Sequence, residues 1–340
     1  MKSKKLFFTL LLSLSFLVTA CTSAKETTSE IRIAHFPNVT HAQALISRSQ
    51  NLFEKHIGPD YKVSYKVFNA GPAEIEAFFA GELDLGYIGP VPAINGHIKS
   101  DGDIVILAGA TNAGAMLIAQ KNSTINTISD LSGKKIAIPQ IGNTQHLSLL
   151  SLLSENGLKD TTKGGTVEVI AAANPDIRTL LSSGNIDAAY VPEPWASRLV
   201  FELDAKIVLD EKEVFRNGNY STAVVIGRKE FVEKNPDLVK RFLMAHLEAT
   251  NFLNNNPTEA ATQLNNQIKE HTGQKLAKEV MDSVLTRLDF NYDPITDSVM
   301  DFMNISLSEN FISKLAESDQ IFYFSILNDL LEADGKAPIK

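Results

Sequence analysis

Short apolar runs alternate with amphipathic stretches from Ile31 onward, a rhythm that predicts strands each followed by a helix. Strands are expected at 31–35, 61–68, 83–88, 104–107, 135–138, 167–170, 186–191 and 222–226. The helix starts carry their own marks. Thr40-His41-Ala42-Gln43 reads as a capping box, Gly71-Pro72 and Asn174-Pro175 each set a cap before a proline at the first helical position, and Asn143 or Thr144 caps a helix running to Gly157. Because each start follows a strand closely, several helix N-termini, with free N–H groups and positive dipole ends, are expected to point into one region. Beyond Gly227 the pattern turns almost wholly helical, opening at Asn235-Pro236 with a core-facing stripe of Leu238, Phe242, Ala245, Ala249 and Phe252. The fold class is therefore α/β, mainly parallel, with a helical C-terminal region that completes the first of two lobes.

Two stretches 103 positions apart repeat one another: Gly81 to Ala93 (GELDLGYIGPVPA) and Gly184 to Ala196 (GNIDAAYVPEPWA). Each reads as a helix stop at a left-handed glycine, a short strand, and a Pro-containing loop, with Asp84 matched by Asp187 and Tyr87 by Tyr190. Ligands of open α/β sheets collect beyond the carboxyl ends of strands. Two such units facing each other predict a ligand cleft between them.

The N-terminus changes the picture of where this happens. Lys2, Lys4 and Lys5 precede an apolar run, Leu6 to Val18, too short for a membrane span but suited to a signal peptide (residues 1–20). It ends in Val18-Thr19-Ala20-Cys21, which resembles a bacterial lipobox and makes Cys21 the candidate lipidation site. Cys21 is the only cysteine, so a monomer has no disulfide or Cys-based metal site. Residues 21–30 read as a flexible polar tether. Loss of the three signal lysines takes the formal net charge from −8 to −11, with 29 basic against 40 acidic residues, and an acidic chain without a basic run excludes nucleic acid as a partner.

With the lipobox, the doubled unit and the loops HFPNVTHAQAL, FNAGPAEIEAF, GYIGPVPA, IPQIGNTQHLSL and VPEPWASRL in hand, the chain resembles the substrate-binding lipoproteins of nitrate, sulfonate and taurine ABC transporters. The likeness runs from Ile31 to about Pro294 and rests on order and spacing rather than one motif. It implies a two-lobed type II periplasmic-binding-protein fold, with crossings near 113–120 and 219–225. Lobe one would combine 30–114 with 222–340, and lobe two would be 115–221. It also implies a monomer without cofactor or catalysis, lipid-anchored on the extracytoplasmic face, that captures a small anion by lobe closure and delivers it to a permease and its ATPase.

The candidate ligand-binding residues follow from the strand-to-helix turns. His35, Asn38 and His41 surround the first; they lack a third protein ligand of the usual kind for a metal, so hydrogen bonding to a solute is the sharper reading. Asn69, Ala70 and Gly71 form the second, and Tyr87 and Gly89 the third, though Tyr87 reads equally well as core. Gly142, Asn143, Thr144 and Gln145 offer a helix start and side-chain donors to an anion. None of these loops contains Lys or Arg, which fits a weakly basic anion such as a sulfonate or nitrate better than a phosphate. Glu193 either caps the helix opened by Pro194 or contacts a solute ammonium, as taurine would offer; Trp195 is either core or a stacking surface. A thiamine-type aminopyrimidine is the alternative solute. A surface adhesin, which would show exposed apolar patches, and an enzyme on the same fold are the alternatives of other classes. No phosphate loop, metal box or defensible Ser-His-Asp order supports an enzyme.

Overall fold

The structure, a computed structural model, describes residues 29–340; the signal peptide, Cys21 and most of the tether lie outside the described residues. Ser29 and Glu30, expected in the tether, already belong to the first strand. The strands are β1 (Ser29–His35), β2 (Tyr61–Val67), β3 (Leu85–Ile88), β4 (Ile104–Asn112), β5 (Ala115–Ala119), β6 (Lys135–Ile138), β7 (Glu168–Ala171), β8 (Ala188–Pro192), β9 (Lys206–Asp210), β10 (Ser221–Arg228) and β11 (Asp289–Phe290).

They form two sheets, a six-stranded one in the order β11-β4-β10-β3-β1-β2 and a five-stranded one in the order β7-β6-β8-β5-β9. The chain passes from the first to the second at Ala113-Gly114 and returns between β9 and β10. The expectation of mainly parallel sheets is corrected. β1 pairs in parallel with β2 and β3, and β6 with β7 and β8, but β10 runs antiparallel to β3 and β4, β11 to β4, and β5 to β8 and β9. A parallel neighbour needs a crossover helix on its own sheet, and β5 and β10 instead arrive from the other sheet.

Each sheet is covered on both faces. Along β1 and β3, Ile33 and Tyr87 face a cluster with Phe242 and Leu331, while Ala34 and Ile88 face another with Phe302 and Met303. The second sheet repeats this with Tyr190 and Leu149 on one face and Val191 and Leu199 on the other. The C-terminal helices thus complete the core of the first sheet. The helix Thr144–Glu155 of the second sheet also sends Leu147 and Leu150 into the Phe302 cluster, joining the two units.

The repeat is built as a repeat. Gly81 and Gly184 both take left-handed conformations, with φ of 69° and 75°. Asp84 Oδ2 then accepts from the Arg32 amide of β1 at 2.9 Å, and Asp187 Oδ2 from the Lys135 amide of β6 at 2.8 Å. One carboxylate in each copy therefore pins the neighbouring parallel strand.

The expected capping box at Thr40 does not form: Val39–His41 is a 3-10 turn, and the Gln43 side chain reaches across to the Ala110 carbonyl instead. The two proline starts are shifted by one residue, with Ala70 and Ala173 in the cap position and no side-chain cap at either. No helix among the described residues is long and apolar enough to cross a membrane.

Candidate functional site

The turns that leave the parallel strands converge on one cavity between the two sheets, of about 390 Å³ counting the part open to solvent. From the first sheet come Asn38, Thr40 and His41 after β1, Asn69, Ala70 and Gly71 after β2, and Gly89 after β3. Asn143, Thr144 and Gln145 after β6, Asn174 after β7 and Pro192 at the end of β8 close it from the second. The helices Gly71–Phe79, Pro90–Lys99, Thr144–Glu155 and Asn174–Ser182 therefore begin at this cavity. Pro72, Pro90, Pro92 and Pro175 bring no N–H to these helix starts, but the remaining first-turn N–H groups and the helix dipoles favour negative charge there.

Local hydrogen bonds decide which groups remain for a ligand. Asn143 caps its helix, accepting from the His146 amide at 2.8 Å while its Nδ2 donates to Gln145 Oε1 at 3.1 Å. That leaves the Thr144 and Gln145 amides without a protein acceptor, and the Nε2 end of Gln145 as a donor. Thr144 Oγ1 is buried without a partner and abuts Gly89 across the cavity. Asn174 Oδ1 is likewise buried and unpartnered. Sequence reasoning placed Asn174 only at a helix start; its position after a strand was the signal that could have put it in the site.

His41 is fixed in its neutral form. Its ring stacks on Phe36 with centroids 4.2 Å apart, the Phe36 amide donates to Nδ1 at 3.3 Å, and the proton must then sit on Nε2. Burial, and secondly the His35 ring, hold its pKa well below the ordinary histidine value. Among the described residues, no Asp, Glu, Lys or Arg lines the cavity. Negative charge here would meet neutral donors and helix ends only. Phe36, Pro92, Pro139 and Pro192 supply an apolar wall.

Five residues expected at the site lie off this cavity. His35 ends β1 on the opposite side: Arg48 Nη1 lies 3.0 Å from its Nε2, its Nδ1 lies 3.1 Å from the Phe36 carbonyl oxygen, and burial depresses its pKa to about 3. Tyr87 is core, fully buried with its hydroxyl 3.0 Å from His246 Nδ1. Gly142 takes φ 80°, and its amide donates to His146 Nδ1 at 3.1 Å rather than to the cavity.

Glu193 is the more instructive correction. It is fully buried, yet its carboxylate accepts from the Ser197 hydroxyl at 2.7 Å and the Ser197 amide at 3.0 Å, with Arg287 Nε 3.7 Å away. Burial raises its pKa to about 7, opposed by the Ser197 hydrogen bonds and by Arg287. It holds the first turn of the helix Trp195–Leu203 and faces the C-terminal helix Lys278–Arg287, away from the cavity. Trp195 offers no stacking face to the cavity either. Its ring packs in the second sheet's core with the Arg198 guanidinium 5.0 Å from the ring centroid, and its Nε1 donates to Asn38 Oδ1 at 2.8 Å. No group of three or more His, Cys, Asp or Glu able to hold a metal occurs among the described residues.

Comparison with known proteins places this geometry. The profile of the NMT1-like family matches residues 24–266, more than half of the chain. The chain belongs to the NMT1-like family. A taurine-binding periplasmic protein of Escherichia coli (strain K12) is 32% identical over 207 residues, an alignment spanning 61% of this chain and 61% of that relative. The matched segment is thus under two thirds of the relative's length. Among solved structures, the alkanesulfonate-binding protein of Xanthomonas axonopodis pv. citri bound to MOPS superposes with a TM-score of 0.74 at 19% identity, covering 87% of this NMT1-like chain and 99% of that one. A desulfurization enzyme shares the fold with a TM-score of 0.63 at 18% identity, covering 90% of this chain and 99% of its own. The fold is that of periplasmic binding proteins, and it also carries an enzyme, so the fold alone does not separate binding from catalysis.

Proposed function

We propose that this NMT1-like protein is the solute receptor of an ABC importer and captures a small aliphatic sulfonate between two closing lobes. The observation that carries the reading is the cavity where helix N-termini and neutral donors converge without a single charged side chain. A sulfonate is a weakly basic monoanion that accepts several hydrogen bonds without requiring a bidentate arginine. Nitrate would meet the same donors but has no tail for the apolar wall of Phe36 and the prolines. The prolines and Phe36 suit a short alkyl tail. An ammonium such as taurine's finds no carboxylate among the lining residues, because Glu193 is turned away. An aminopyrimidine loses the same carboxylate and the stacking face of Trp195. The lining holds no acid and no nucleophile activated by a base, and this supports a binding protein over an enzyme.

Lobe one would comprise 30–114 with 222–340 and lobe two 115–221, joined by the two crossings. Acylation of Cys21 would hold the receptor, as a monomer, on the extracytoplasmic face beside its permease and ATPase; a Cys21→Ser protein recovered from the membrane fraction after signal removal would sink that part. The receptor reading is tested by calorimetry and thermal shift with ethanesulfonate, taurine, nitrate and sulfate. Ethanesulfonate is expected to bind most tightly and to raise the melting temperature by mass action. No binding of any of the four would overturn the reading.

A further inference from the structure

We infer that Trp195 is a positioning residue that fixes the Asn38 amide as a hydrogen-bond donor toward the solute. The inference rests on the anion reading above and adds a residue that touches no ligand. An indole N–H can only donate, so the 2.8 Å contact from Trp195 Nε1 must be accepted by the oxygen end of the Asn38 amide. An asparagine amide has one accepting end and one donating end. With Oδ1 committed to Trp195, the Nδ2 hydrogens, which have no protein acceptor, are left for the cavity that Asn38 lines.

Without the indole, the amide is free to turn and to present its oxygen to an anion. His41 shows the same logic achieved differently. There the Phe36 amide of its own turn sets the tautomer, whatever the rest of the molecule does. Asn38 is set from 157 positions away, by a side chain that opens the helix after β8 of the other sheet. The first sheet's unit therefore carries a donor at Asn38 only when the second sheet's unit is seated against it.

Trp195 reaches this contact already oriented. Its ring is packed with Ile177, Val191 and Leu199, and Glu193 holds the helix turn beneath it through Ser197. Donor polarity at the solute is thus coupled to closure, and anions are selected in the closed state over neutral solutes of the same shape.

The test uses the single tryptophan of the whole protein with ethanesulfonate as the probe. Trp195→Phe keeps a packed ring and removes the N–H; affinity for ethanesulfonate is expected to fall about three- to ten-fold, the loss of one neutral hydrogen bond. Asn38→Asp can still accept from Trp195 but turns an oxyanion to the cavity, and affinity should fall by about a hundred-fold or more. In case Trp195→Phe folds poorly, the wild-type indole N–H gives one NMR cross-peak, expected to exchange with deuterium more slowly when ethanesulfonate is bound. A merely structural tryptophan would lower the melting temperature of the variant without changing this affinity. Wild-type binding with unchanged affinity in Trp195→Phe, or an indole exchange rate indifferent to solute, overturns this inference alone. Failure of the wild type to bind ethanesulfonate or any other anion of the panel overturns the anion reading and this inference with it.

Discussion

The two copies of the repeated unit share a frame and part company at their ends. Gly81 with Asp84 and Gly184 with Asp187 do the same work at the base of each strand, stopping a helix and pinning the parallel neighbour. At the other end, the first copy gives Gly89 and Pro92 to the cavity wall, and the second gives it only Pro192 before turning Glu193 and Trp195 to packing and to contacts with the other unit. The bases serve the same purpose, while one tip lines the cavity and the other joins the two units.

The bases differ in one respect that mutation should expose. Asp84 is buried and also pairs with the Arg32 guanidinium, Nη2 to Oδ1 at 2.7 Å, with Arg228 3.6 Å away, whereas Asp187 is half-buried. Asp84→Ala strands those cations and is expected to cost about 3–5 kcal/mol. Asp187→Ala, which loses a charge-assisted bond to one amide, should cost about 1.5–3 kcal/mol in urea unfolding. Equal losses would mean that the ion pairs of the first copy contribute nothing.

At the tips, Gly89 has an ordinary φ of −68°, but a Cβ there would collide with Thr144 Oγ1 of the opposite unit. Gly89→Ala is expected to keep its melting temperature and to lose about ten- to a hundred-fold in ethanesulfonate affinity, because the two units no longer meet. Full affinity in this variant would refute the closed contact. Thr144→Val should weaken binding about three- to ten-fold with little effect on stability, since Asn143 and not Thr144 supplies the helix cap. A drop in melting temperature with intact affinity would return Thr144 to a structural role.

The smallest effect separates the two tips most cleanly. Glu193 is raised from 4.5 to about 7 in the folded protein, so between those values the folded state holds more proton than the unfolded one. Stability from this group therefore falls as pH rises through that window, and the full penalty is present above about 7. Glu193→Gln should flatten that part of the stability profile, leaving the similar contribution of Glu211, also raised to about 7 by burial. Ethanesulfonate affinity should not change, and a tenfold loss would put Glu193 back among the ligand contacts.

Much of this was legible in the sequence because local rules and the fold agreed. The left-handed glycines, the matched aspartates and the convergence of helix starts on one region could all be read from spacing. What escaped depended on partners distant in the chain. Glu193 precedes a proline and lies four residues before Ser197, a legible capping signal, but Arg287 is not predictable from it. β5 was hidden because Ala115–Ala119 is a buried apolar run whose pairing with β8 and β9 leaves no alternation to detect. His35 and Tyr87 stand one and two positions before the lining residues Phe36 and Gly89, but both belong to strands, whereas those lining residues come from the turns that follow.

The lining described for the cavity contains no Asp, Glu, Lys or Arg, and its one ionisable side chain is His41. A sulfonate does not titrate near neutrality, His41 is held neutral by burial, and enclosed hydrogen bonds are screened far less than exposed charges. On the proposed reading, capture of a sulfonate should therefore depend little on pH or on salt concentration.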